Sequence, residues 1–166
     1  MGRINDKLKR CSSDPLQGPG VAVPPPFLYA TAFLSGMALN YFWPWPLFPD
    51  PLAQFTGTAM LIASILIIAP VLLRFRRHQT TLDVRKPASA LITDGPYAYS
   101  RNPVYVSLTL CYLGAGSIVN QGWILLLTPP LLLVMHYWVV CAEERHLQAK
   151  FGVYYSNYKK KVRRWF

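Results

Sequence analysis

The chain has 166 residues, 52% of them hydrophobic, with 17 Lys and Arg against 7 Asp and Glu and a net charge of +10. That length suits one domain, and so apolar a composition argues against a soluble globule. The basic residues collect in three blocks between uncharged runs, a pattern of membrane flanks that argues against a nucleic-acid surface.

Residues 1–26 are polar, then rich in Pro and Gly, and read as an irregular cytoplasmic segment. No small-residue cleavage site accompanies the first apolar run, so this segment is expected to remain on the mature chain. Residues 27–166 are expected to form the membrane domain. It holds four uncharged runs, 27–43, 54–73, 103–120 and 122–142, each within the range of about 17 to 25 residues that a bilayer core requires of a helix. None has the polar stripe of a soluble amphipathic helix. The predicted fold is all-α: an integral membrane protein with four transmembrane helices, a tight hairpin of the last two, and a C-terminal interfacial amphipathic helix.

Basic residues fall before the first run, between the second and third, and after the fourth; the links 44–53 and 121 hold none. The positive-inside rule then makes both termini cytoplasmic. The short, four-span form points to a bacterial inner membrane, with the endoplasmic reticulum as the alternative. WPWPLFPDP, at 43–51, alternates Pro with aromatic residues and suits a loop at the interface. Asn120, Gln121 and Gly122 alone join the last two spans. Pro129 and Pro130 should kink the fourth span, and His136, deeper in it, is expected to be packed and hydrogen-bonded. Cys11, Cys111 and Cys141 have no disulfide or zinc spacing.

After residue 142 the sequence turns polar, EERHLQAKFGVYYSNYKKKVRRWF. Leu147, Phe151, Tyr155, Tyr158 and Val162 recur at helical steps, predicting an amphipathic helix bent at Gly152 that lies in the interface and meets anionic membrane lipid.

Two constellations could carry chemistry. In GPYAYSRNPVYVS, at 95–107, Asn102 before Pro103 is how a helix begins, and Arg101 adds a permanent planar charge to the helix N-terminus, making a seat for a carboxylate or phosphate. Glu143 and Glu144 end the fourth span, and the hairpin returns them to the level of Arg101. Two carboxylates at a helix C-terminus require compensation, by a salt bridge to Arg101, Arg145 or a lipid amine, or by a ligand that bears both signs of charge.

These two blocks, in this order and with a hairpin between them, resemble the isoprenylcysteine carboxyl methyltransferase family and its phospholipid methyltransferase relatives. The family's pattern reads approximately G-x-Y-x-x-x-R-[HN]-P-x-Y, then E-E, then F-G-x-x-Y-x-x-Y-x-x-x-V. The resemblance covers about residues 89–162, the expected cofactor part of the domain. It implies S-adenosylmethionine as cofactor and a lipophilic methyl acceptor at the cytoplasmic face. Matched position by position, it implies that Ser89, Ala90, Leu91, Ile92 and Tyr97 line the cofactor pocket with Asn102, Pro103, Val104 and Tyr105. Arg101 and Glu143 are the expected catalytic pair, Glu143 standing near the acceptor, and Arg101 and Glu144 are also expected to bind the cofactor; Glu144, Gly152, Tyr155 and Tyr158 match the closing motif. Asn102 stands where carboxyl methyltransferases have His, and Ser107 where Gly is common. Val139 replaces an arginine near their substrate, leaving a prenylcysteine carboxylate no obvious partner. An amine or hydroxyl acceptor would need a general base, for which Glu143 or a nearby Tyr is the candidate. Two other readings are open: an NADPH-dependent reductase of the sterol reductase type, and a non-catalytic lipid-binding module dependent on its basic tail.

Overall fold

A computed structural model describes residues 23–77 and 91–165. Its elements are helices α1 (Pro25–Phe42) and α2 (Asp50–Arg77), a 3-10 turn (Gly95–Ala98), then α3 (Pro103–Ile118), α4 (Trp123–Val134), a π turn (Met135–Val140) and α5 (Cys141–Lys161). No strand occurs among the described residues. Prolines open α1 and α3, where a missing N–H costs nothing and the fixed φ suits a first turn. Two helices are long and apolar enough to cross a membrane, α2 and the continuous Trp123–Lys161 helix; α3 is a shorter apolar helix.

The chain does not break at residue 142, where hydropathy changes. Helical geometry continues from α4 through the π turn into α5, because a backbone helix answers to its hydrogen bonds while hydropathy answers to the medium. Pro129 and Pro130 lie within α4, and the irregular turn follows them, at Met135–Val140. Gly152 bends α5 as expected, with φ 53° and ψ −119°, values a side chain strains to adopt.

Small residues let α2 and α3 approach closely. Gly57 and Gly114 face each other: a Cβ on Gly114 would stand 2.9 Å from the Gly57 carbonyl oxygen. Seven residues along each helix, Ser64 donates to the Ser107 carbonyl at 2.9 Å and meets its hydroxyl at 3.1 Å. Ser107 therefore belongs to this seam. Close backbone approach with hydroxyl bonding is how helices associate where surrounding lipid is as apolar as they are.

The two ends of the bundle differ. At one end the Trp43-to-Asp50 link is tied to the α3–α4 turn: Gly122 N donates to Trp45 O at 2.6 Å, and Asn120, held at φ 49°, accepts from Leu47 N and Phe48 N through Oδ1. Trp45 and Trp123 pack edge to face there. The opposite end holds Arg74, Arg101, Glu143, Glu144, Arg163 and Arg164, with Arg74 paired to Asp94 at 2.9 Å. The core between them is built on Tyr29, Tyr105, Tyr112, Ile124, Leu131, Met135, Val139 and Val140. Helices α3 and α4 touch at their turn, where Gly116 meets Ile124, and part toward the basic end, leaving a pocket between them.

Candidate functional site

The basic end gathers the two constellations. Glu144, its side chain 8% exposed, accepts from Arg101 Nη1 at 2.8 Å and from Arg164 through Nη2 at 2.7 Å and Nε at 3.0 Å. Of the compensations the sequence leaves open, the bridge to Arg101 is present, and Arg164 is a second cation that sequence reasoning missed. Two guanidiniums on one carboxylate leave a net positive charge. The bond to Glu144 raises the Arg164 pKa above its ordinary value, so its charge is permanent.

Glu143 points elsewhere. Its Oε2 accepts from the Tyr105 hydroxyl at 2.8 Å, while Oε1 has no hydrogen-bond partner among the described residues. Half-buried Tyr97 faces the same carboxylate; burial, then the Glu143 charge, then Tyr158 raise its pKa, so its phenol keeps its proton. Tyr158 in turn donates to the Tyr97 carbonyl at 2.7 Å. The predicted stripe of α5 faces this network: Tyr155, Tyr158 and Val162 form a cluster with Leu147, Phe151 and Leu91. Ile92 is buried nearby in sequence; Ser89 and Ala90 lie outside the described residues.

The start of α3 corrects one expectation. Asn102 does not cap the helix with its side chain; its Nδ2 donates to the Arg164 carbonyl at 2.9 Å, and its own N–H is taken by Ser100 Oγ at 3.2 Å. Arg101 N donates to Arg163 O at 3.0 Å. With Pro103 lacking an N–H and Tyr105 and Val106 bonded to Asn102 O, the first turn keeps little more than the Val104 amide for an anion. Segment 162–165 fills what looked like an open helix terminus, because it returns as extended chain from Val162.

Three polar atoms of this part of the chain are orphaned among the described residues. Arg101 Nε is buried with no partner among the described residues, and so are both ring nitrogens of His146, a residue 1% exposed and one helical turn after Glu143. Buried donors and acceptors are nearly always satisfied, so such atoms point to a polar ligand. His146 shows no periodicity signal that could have singled it out.

Beside this cluster lies the pocket between α3 and α4, about 710 Å³ in volume. Val106, Leu110, Pro129, Leu132 and Trp165 give it an apolar wall, and His136 lines it too. Leu133 and Tyr137, at 57% and 62% exposure, stand at its outer side. His136 is hydrogen-bonded as expected, to Arg164 at 3.2 Å. Val139 is 1% exposed and belongs to the core.

A helical bundle with apolar outer faces thus carries a charged, tyrosine-rich cluster beside a mostly apolar concave pocket, the kind of place where small molecules bind. Residues 52–153 match the family model described as phospholipid methyltransferase, and the chain belongs to that family. It is also similar to the protein-S-isoprenylcysteine O-methyltransferase of Schizosaccharomyces pombe, with 36% identity over 72 residues; the match covers 43% of this chain and 30% of that protein. No solved structure matches. Neither the reductase reading nor the lipid-binding module draws support from these similarities.

Proposed function

We propose that the chain transfers a methyl group from S-adenosylmethionine to a lipophilic acceptor at the cytoplasmic face of a membrane, as a four-span domain over residues 27–166 with its cofactor part at 89–162. The observation that carries this reading is the junction of the polar cluster at Arg101, Glu143 and Glu144 with the apolar pocket between α3 and α4. The residues present fit a zwitterionic cofactor: Arg101 Nε and the Val104 amide are donors for a carboxylate, while Glu144 and Tyr97 offer an acceptor and a donor for the remainder.

S-adenosylmethionine supplies an activated methyl group with a good leaving group, so the chain's task is to position and to exclude water. Tyr105 fixes Glu143 through Oε2 and leaves Oε1 to orient a donor on the acceptor, or to take its proton where the acceptor is an amine or hydroxyl. Arg164 and Arg101 hold Glu144 fixed, and residues 162–165 close over the start of α3. Leu133 and Tyr137 mark the side from which an acceptor reaches the pocket from lipid.

The test is calorimetric titration of S-adenosylhomocysteine into the detergent-purified chain, with NADPH in a parallel sample. Binding of the first alone, abolished in Arg101→Ala, is expected. Arg101→Ala and Glu143→Ala should each abolish methyl transfer from labelled S-adenosylmethionine into a membrane lipid extract while the protein stays membrane-inserted. Binding of neither ligand would overturn the proposal.

A further inference from the structure

The segment 162–165 brings to the pocket a contact that the methyl-transfer site leaves unused. Arg164 is shared: Nε and Nη2 hold Glu144, and Nη1 lies 3.2 Å from His136 Nε2. A guanidinium has only donors, so Nε2 is the accepting nitrogen and the imidazole proton resides on Nδ1. Nδ1 has no hydrogen-bond partner among the described residues, and His136 lines the pocket. The wall's other buried-side polar group is already committed. Thr109 donates to the Tyr105 carbonyl at 2.8 Å and accepts from the Tyr29 hydroxyl at 2.8 Å. In a mostly apolar cavity the His136 Nδ1–H is thus a donor open to an acceptor atom.

We propose that His136, held in its Nδ1–H tautomer by Arg164, donates a hydrogen bond to an oxygen on the methyl acceptor. It thereby selects amphiphiles that carry a carbonyl, ester or phosphoryl oxygen just inside the pocket over hydrocarbons and over heads that only donate. This rests on the reading of the pocket as the acceptor's seat. Trp165, carried by the same segment, forms part of the wall against which the chain of such a molecule packs.

Two measurements on the full chain in nanodiscs test it. The first is nitrogen NMR of histidine-labelled protein, with the His136 signals identified by their loss in His136→Gln. A protonated Nδ1 with an unprotonated Nε2 is expected in the wild type; the opposite tautomer overturns the proposal. The second is equilibrium binding of tritiated methyl dodecanoate and of a tritiated n-alkane of the same length. The ester should bind about fivefold more tightly, as one neutral hydrogen bond provides, and His136→Phe should remove that preference while leaving alkane binding unchanged. Equal binding of ester and alkane by the wild type, or a preference that survives in His136→Phe, overturns the proposal and leaves the pocket assignment intact. Failure of both probes to bind overturns the pocket assignment itself. The tautomer and the wild-type preference are decisive even where His136→Phe does not fold.

Discussion

Glu144 holds two guanidiniums together in a site with little solvent, and the charge balance there depends on it. Removing one partner from a buried ion cluster typically costs about 3–5 kcal/mol, because the remaining charges are left uncompensated. Glu144→Gln is therefore expected to lower unfolding free energy by about 3 kcal/mol in a denaturant titration, with the loss eased when Arg164→Gln is added. Tyr97 gives a pH signature. Its folded pKa lies above the ordinary 10.0, so its contribution to stability is full below that pH and is lost as pH rises further. Between about pH 9 and about pH 11 the wild type should lose melting temperature, and Tyr97→Phe should lose less. At this scale the sequence singled out charged residues that the fold gathers at one end, since Arg101, Glu143 and Glu144 border apolar runs. Arg164 was hidden in a run of basic residues whose shared explanation was the membrane surface. Its partners, 20 and 28 residues away, are visible only once the chain has turned back on itself. The unforeseen role of Asn102 has the same cause: local rules describe a helix start, and here a distant carbonyl takes the side chain instead.

Among the helices, α2 and α3 depend on what their residues lack. Gly114→Leu would drive a side chain into the Gly57 carbonyl, which cannot withdraw without separating the helices. A loss of about 1–3 kcal/mol is expected, read as a lower thermal midpoint in detergent, whereas Gly36→Ala, whose Cβ would meet its neighbours at 3.4 Å or more, should be close to neutral. The existence and placement of the helices were legible because long uncharged runs have few alternatives. The Gly57–Gly114 seam was not, since small residues inside an apolar run leave the hydropathy pattern unchanged. Neither was the continuity of Trp123–Lys161, because hydropathy changes at residue 142 while the backbone hydrogen bonds pass through it.

At the scale of the molecule, the aromatic end and the basic end make a polarity that a membrane would read. Cysteine placed at Pro46 and at Lys160 in a Cys-free background should react with an impermeant maleimide from opposite sides of sealed vesicles, the Lys160 position from the cytoplasmic side. Labelling of both from one side would refute the four-span arrangement. The π turn has a further consequence for the whole. A wide turn of this kind is a helix that has absorbed one extra residue, and each residue carries about 100° of rotation. Glu143 and Glu144 therefore face Tyr105 and Arg101 partly by virtue of a residue count upstream of them. Straightening Met135–Val140 into ordinary helical winding with the residue count unchanged would swing both carboxylates by about 100° with every site residue still present, whereas deleting one residue there would remove the wide turn and leave them facing as they do. The spacing of this chain, as much as its side chains, is what holds the site together.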